Sequence, residues 1–212
     1  MIRQHLSEMS GIELSEVTVS KLEAFRDLVL KWNPRINLVS RASLADLWTR
    51  HIADSAQLYR YACNVSGTWA DLGSGGGFPG VVLAVLSTQA HPARQYRFVE
   101  SDQRKAVFLR EAVRVTECRA SVVCDRIEQV DPMNADVVTA RALASLPDLL
   151  GLVARHLRSD GLAILPKGAN YKLELDAARA NWAFDAQVHP SITDPDGHIL
   201  QVEGLKERLE DR

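Results

Sequence analysis

The 212-residue chain carries 25 Lys and Arg against 27 Asp and Glu, a formal charge of −2, so it is no polycationic nucleic-acid coat. Any contact with nucleic acid has to come from a local basic patch. Its length suits one sizeable domain with a real core. The three cysteines, Cys63, Cys118 and Cys124, have neither the number nor the spacing of a disulfide framework or a zinc knuckle. The opening segment "MIRQHLSEMSGIELSE" lacks an apolar signal core, and no apolar run reaches bilayer length, so a cytoplasmic location is expected.

In chain order, residues 20–60 read as helical. Ser20 with Glu23 suggests a capping box, and Leu22, Phe25, Val29 and Trp32 recur at helical spacing. Asn33 before Pro34 predicts a stop, and a second helix is expected to open at Ser43. From Thr68 the pattern changes. "TWADLG", "QYRFVE", "SVVCD", "ADVVTAR" and "GLAILPKG" suit strands buried on both faces, while "GVVLAVLS", "QRKAVFLREAVRV" and "LPDLLGLVARHLRS" between them read as covering helices. This alternation predicts an α/β fold with a mostly parallel, doubly wound sheet. "FDAQVHPSI" and "HILQVEGL", flanking the turn-rich "TDPDG", predict an antiparallel strand at its edge. Residues 1–64 would form a helical cap and residues 65–212 the sheet domain, packed as one unit.

The chemistry centres on "DLGSGGGFPG", residues 71–80, where five glycines crowd into eight positions after a strand. Residues 75–80 satisfy G-x-G-x-x-G, and Glu100 ends the next strand, so an NAD-dependent oxidoreductase is one reading. However, Asp71 stands immediately before the turn. An acid facing the turn would repel a pyrophosphate and would suit a cationic ligand.

"WNPRINLVS", "RHIADS", "DLGSGGGFPG", "FVESDQRKAVFLR", "RIE", "TARALASL" and "LPKG" occur in an order and spacing that resembles the bacterial RsmG (GidB) family, from about Trp32 to Gly168. The first residues of the glycine segment are also similar to the first motif of class I S-adenosylmethionine-dependent methyltransferases. The resemblance implies that class I fold, S-adenosyl-L-methionine as cofactor, and methylation of guanine N7 in 16S ribosomal RNA of the small subunit or an assembly intermediate. It implies that Gly73, Gly75 and Gly77 border the methionine part, with Phe78 beside the cofactor and Glu100 on the ribose hydroxyls. Asp102 is the alternative ribose ligand, because the family more often has Asp where Glu100 stands. Ile127 and Glu128 would border the adenine, and Arg141 would lie near the transferred methyl.

Asn37, Arg126, Arg141 and Lys167 fall in the same motifs, at predicted loop or strand ends. The cap carries Lys31, Arg35, Arg41, Arg50 and Arg60 against Asp46 and Asp54, an excess that would contact phosphates. Asn37, Arg41, Arg50, His51, Arg126 and Lys167 are therefore the expected substrate contacts. His51 is equally well placed to anchor the cap. The chain has no Asn/Asp-Pro-Pro-aromatic segment for an exocyclic amine and no Pro-Cys nucleophile for pyrimidine C5. Guanine N7 needs neither, because its lone pair is exposed and carries no proton. Arg126 and Arg141 would then orient the base through O6 or a phosphate, with no general base. A non-catalytic, nucleotide-responsive ribosome-binding factor remains the reading from another class. The sequence leaves the oligomeric state open, with a monomer as the working expectation.

Overall fold

The computed structural model describes residues 2–208. Helices α1 (Ile2–Ser10) and α2 (Glu16–Ile36) lead into a short helix α3 (Arg41–Leu44) and a π-helical turn over Trp48–Ala53. A further short helix, α4 (Asp54–Ala56), and a 3-10 turn, Gln57–Tyr61, complete the helical segment. The sheet region then alternates β1 (Thr68–Leu72), α5 (Gly80–Ala90), β2 (Gln95–Val99), α6 (Gln103–Thr116), β3 (Ala120–Val123), β4 (Ala135–Ala140), α7 (Leu146–His156) and β5 (Leu157–Lys167). It closes with α8 (Tyr171–Ala178), β6 (Trp182–Pro190) and β7 (His198–Glu207).

The strands form one seven-stranded sheet in the order β3-β2-β1-β4-β5-β7-β6. The first five are parallel, and β7 is antiparallel to both β5 and β6. The antiparallel strand expected from the turn-rich stretch is thus β7, which sits one place in from the edge. Residue Leu72 pairs with Val99 on one side and with Ala140 on the other, so the carboxyl ends of β1, β2 and β4 lie level.

Both faces of the sheet are covered. One core joins cap residues such as Leu22, Phe25 and Ile52 to Val81, Val85 and Phe108 of α5 and α6. The other joins Leu149, Leu150 and Val153 of α7 to β4, β5 and β7. Helix α5 is buried from Gly80 through Ser87, which explains why "GVVLAVLS" has no polar stripe: the sheet covers one side and the cap the other. Fully burying a side chain the size of Phe25 is worth about 1.5–3 kcal/mol, so the cap depends on this contact.

Several local expectations need correction. Helix α2 starts one turn earlier than Ser20, because the Ser15 hydroxyl accepts the Thr18 N–H and caps it; Ser20 lies inside the helix. Pro34 does not stop it. The carbonyl that Pro34 leaves unpaired within the helix belongs to exposed Leu30, where water can reach it. The stop comes at Asn37, in the left-handed region at φ 48°, where its N–H donates to the Asn33 carbonyl. Buried Asn33 also accepts the Val39 N–H at 2.8 Å. The next helix opens at Ser40 rather than Ser43: the Ser40 hydroxyl accepts the Ser43 N–H. Finally, α7 ends at His156, and "LRS" begins the long strand β5, because Leu157 pairs with Ala135 at the foot of β4.

The glycine turn is shaped partly by the cap. A Cβ on Gly77, at φ +84°, would stand 2.8 Å from Val81 and 2.9 Å from Phe25, and one on Gly76 would stand 2.9 Å from the Leu38 carbonyl oxygen. These two residues are glycine because the cap approaches the turn closely. Gly77→Ala is therefore expected to destabilise the protein by about 1–3 kcal/mol through overpacking, measured by urea denaturation.

Candidate functional site

The level carboxyl ends of β1, β2 and β4 place Gly73 between Glu100, which follows β2, and Arg141, which follows β4. Two cavities open along this edge, the usual ligand position in an open α/β sheet. The larger, about 580 Å³, is lined by Gly73, Gly75, Glu100, Arg126, Ile127 and Glu128, with Lys105, Asp125 and Asp148 at its wall. The second, about 350 Å³, is lined by Arg141 and Lys167 together with Asp54, Ser191 and His198. Both volumes suit small-molecule sites. The cavities share Ala142, Leu143 and Ala144, so the loop after β4 is the partition between them.

In the larger cavity the Glu100 carboxylate closes the glycine turn. One oxygen accepts the Gly75 N–H and the other the Asp102 N–H, both at 2.8 Å. Two carboxylate oxygens offer about four acceptor sites, so lone pairs remain for hydroxyl groups of a ligand. Asp102 is committed elsewhere. Its carboxylate accepts the Arg104 and Lys105 N–H groups as the N-cap of α6, and it does not line the cavity. Ile127 opens a single 3-10 turn whose carbonyl is hydrogen-bonded to His156 Nε2 at 2.9 Å. That fully buried histidine holds the turn in place and was missed from the sequence, where it reads as one more residue of a covering helix. Arg126 is exposed at the rim, 3.8 Å from Glu128.

Asp71 does not face the ligand side as expected. It is 1% exposed: Oδ1 accepts the Thr139 hydroxyl at 2.7 Å, and Oδ2 has no hydrogen-bond partner among the described residues. Burial pushes its carboxyl up to about 6, against the opposing pull of the Thr139 hydroxyl. Its carboxylate lies against Gly80, where an added Cβ would meet Oδ2 at 2.5 Å. A dinucleotide pyrophosphate needs the first turn of that helix; here the protein's own acid occupies the position, which speaks against the NAD reading. Gly77 and Phe78 also lie outside the larger cavity. Phe78 is 6% exposed and packs on Phe25, with His51 and Arg141 on its other contacts.

On the partition, Ala142 adopts φ +52°, and the Leu143 side chain lies against Gly73, 2.8 Å from where a Cβ would be. The loop is tied at its far end by Lys167, whose ammonium donates to the Ala144 carbonyl at 2.9 Å and to Glu174 at 2.8 Å. At its near end Arg141 donates from Nη1 to Asp54 at 3.0 Å and from Nη2 to His51 Nδ1 at 3.1 Å. His51 is presented by the π-helical turn, an arrangement enriched at functional sites. Because Arg141 can only donate, Nδ1 accepts, and the proton sits on Nε2, 2.8 Å from the Ser43 hydroxyl. Burial and then the Arg141 charge hold the imidazole down to about 4, although Asp54 pulls the other way. Of the other cap candidates, Asn37 and Arg41 are exposed, and Arg50 lines a separate cleft with Asp54, Thr193 and Asp194. Asp54 was passed over as a site residue although it lies in "RHIADS"; in the sequence it stood only as one of two acids set against the basic residues of the cap.

A profile of the GidB family, described as rRNA small subunit methyltransferase G, matches residues 18–200. The chain belongs to that family. It is 48% identical over 195 residues to the Ribosomal RNA small subunit methyltransferase G of Cereibacter sphaeroides, covering 92% of this chain and 94% of that protein. With the protein of the same name from Ruegeria pomeroyi it shares 48% over 198 residues, 93% and 97% of the two chains. Among solved structures, a SAM dependent methyltransferase from Aquifex aeolicus matches with a TM-score of 0.56 at 12% identity, over 70% of this chain and 88% of that one. M. jannaschii TYW2, solved in complex with AdoMet, matches with 0.54 at 14%, over 81% and 78%. These structural likenesses establish the class I, Rossmann-like methyltransferase fold for this GidB-family chain.

The His51 geometry generates a direct expectation. Its lowered pKa means that the folded protein keeps the ring neutral as pH falls from 6.5 toward 4, while the unfolded chain takes up a proton. Stability contributed by neutral His51 is therefore present above about 6.5 and lost as the pH falls through 4. The imidazole ¹⁵N shifts of His51 should titrate near 4 with Nε2–H as the neutral tautomer. A midpoint near 6.5 would contradict the Arg141 contact.

Proposed function

We propose that this GidB-family chain transfers a methyl group from S-adenosyl-L-methionine to N7 of a guanine in 16S ribosomal RNA, in the small subunit or a precursor of it, in the cytoplasm. The carrying observation is the pair of adjoining cavities: one floored by Gly73 and Gly75 and edged by Glu100, the other lined by Arg141 and Lys167. Among the described residues no helix is long and apolar enough to cross a membrane.

The residues present fit the cofactor. The bare backbone at Gly73 and Gly75 would admit the methionine part closely, Glu100 would accept the ribose hydroxyls, and Ile127 would supply an apolar wall for the adenine, with Glu128 beside it. When bound, S-adenosylmethionine supplies an electrophilic methyl on sulfur, which the N7 lone pair takes up with no proton to remove. The chain's own work is then orientation. The 350 Å³ cavity receives the base, unstacked from its helix, and Arg141 at its wall engages O6 or a phosphate and leaves N7 open. His51 cannot act as a base, since its free nitrogen lone pair already accepts from Arg141. The exposed cap residues Arg41 and Arg50 supply phosphate contacts, Arg50 from the cleft it shares with Asp54, and Arg126 does so at the rim of the larger cavity.

Two experiments test this reading. Small ribosomal subunits incubated with radiolabelled S-adenosylmethionine and the protein should carry label on a 7-methylguanine. Borohydride reduction and aniline should then break the strand at that base, with a single-turnover rate nearly flat between about pH 6.5 and 9. Label on an uncleavable base would refute N7 as the acceptor. For the cofactor site, Glu100→Ala should weaken S-adenosylmethionine binding by roughly tenfold or more in calorimetry, the scale of one lost charge-assisted hydrogen bond. Asp102→Ala should instead lower thermal stability by about 1 kcal/mol through loss of the cap, with little change in affinity.

A further inference from the structure

We propose that Asp54 is a positioning residue for Arg141: it fixes the guanidinium at the wall of the 350 Å³ cavity and neutralises its charge, so that a base acquiring positive charge is tolerated beside it. This rests on the reading of Arg141 as the cation on the acceptor side.

Arginine has five N–H donors and a long, freely rotating stem, so a lone guanidinium at a cavity wall would sample many directions. Arg141 is held at three points. Nη1 donates to Asp54 Oδ2 at 3.0 Å, Nη2 donates to His51 Nδ1 at 3.1 Å, and the guanidinium carbon stands 5.6 Å from the Phe78 ring centre. Nε and one hydrogen on each terminal nitrogen remain for a ligand.

Asp54 is itself braced. Its Oδ1 accepts the Gln57 amide at 2.8 Å and the Thr193 hydroxyl at 2.6 Å. Gln57 is in turn fixed by accepting the Ile192 N–H, and its amide nitrogen lies 3.0 Å from the Ser191 and Thr193 hydroxyls, which share its second hydrogen. Three remote segments, the cap, the loop after β4 and the connection between β6 and β7, converge on one carboxylate. An ion pair with side chains only 20% and 22% exposed, and with its second oxygen fully used, is built to hold an orientation.

Charge gives Asp54 its second role. In the transfer a bond forms between N7 and the methyl carbon, the carbon–sulfur bond breaks with its electrons remaining on sulfur, and the guanine becomes cationic. Of the groups hydrogen-bonded to Arg141, His51 is neutral and Asp54 carries the offsetting charge, with buried Asp71 acting on the guanidinium without a direct contact. Without that carboxylate an unbalanced cation would stand beside a ring that gains positive charge in the transition state, while RNA phosphates would be attracted at least as strongly.

The predicted signature separates kcat from KM. In methyl transfer to small subunits Asp54→Asn should lower kcat tenfold or more, with KM for the particle unchanged or reduced and S-adenosylmethionine affinity unchanged. If that variant fails to fold, Asp54→Glu serves, with kcat lowered because the guanidinium is displaced and KM again unchanged. A kcat within twofold of wild type in the folded variant, or a rise in KM that accounts for the whole loss, would overturn the proposal. Equal activity of wild type and Arg141→Met would instead remove the role assigned to Arg141. Should the wild-type protein transfer no methyl, the function reading fails, and ¹⁵N NMR of the Arg141 guanidinium still decides the positioning. Separate Nη signals in wild type that average in Asp54→Asn support it, and signals equally resolved in both exclude it.

Discussion

The molecule depends on the parallel register around β1. Because Leu72 is level with both Val99 and Ala140, three chain segments leave the sheet at the same height, and the residues that follow them are forced into one neighbourhood. Gly73, Glu100 and Arg141 each stand just beyond one of those ends, and His51 and Asp54 are braced against Arg141. The strands are apolar because helices cover both faces, and the two cavities of the site open along that edge.

The glycine turn answers to two neighbours with different demands. On the cavity side, Gly73 and Gly75 keep side chains out of ligand space, and the Gly75 N–H is tied to Glu100. On the cap side, Gly76 and Gly77 allow Leu38 and Phe25 to come within contact. One short sequence therefore both exposes backbone to a ligand and locks the helical cap onto the sheet. The cap in turn delivers His51 and Asp54 to the loop after β4, which no element of the sheet could do alone.

Electrostatically, the site combines groups that would be costly individually. Asp71 is buried with one oxygen that has no hydrogen-bond partner among the described residues, and its ionisation is resisted by desolvation. His51 is kept neutral, and the Arg141 guanidinium is paired with Asp54. This arrangement offers direction and hydrogen-bond donors without a large net field. It suits chemistry in which no proton moves and the product is a cation.

The sequence by itself determined the strand–helix alternation, the glycine turn with its two flanking acids and the helical character of residues 20–60, because each rests on local pattern or on steric limits within a few residues. Its spacing of ordered segments also carried the family. Only the tertiary structure decided which acid serves which purpose. Asp71 and Glu100 look equivalent in sequence, both ending strands, yet one side chain turns inward against α5 and the other lines the cavity. Helix boundaries shifted for the same reason: Pro34 is tolerated because its missing bond faces water, and "LRS" becomes strand because β4 stands beside it. The Asp54–Arg141 pair joins residues 87 apart in the chain, and burial sets both its strength and the neutrality of His51. Burial and long-range partners are properties of the packed chain, and local pattern does not encode them.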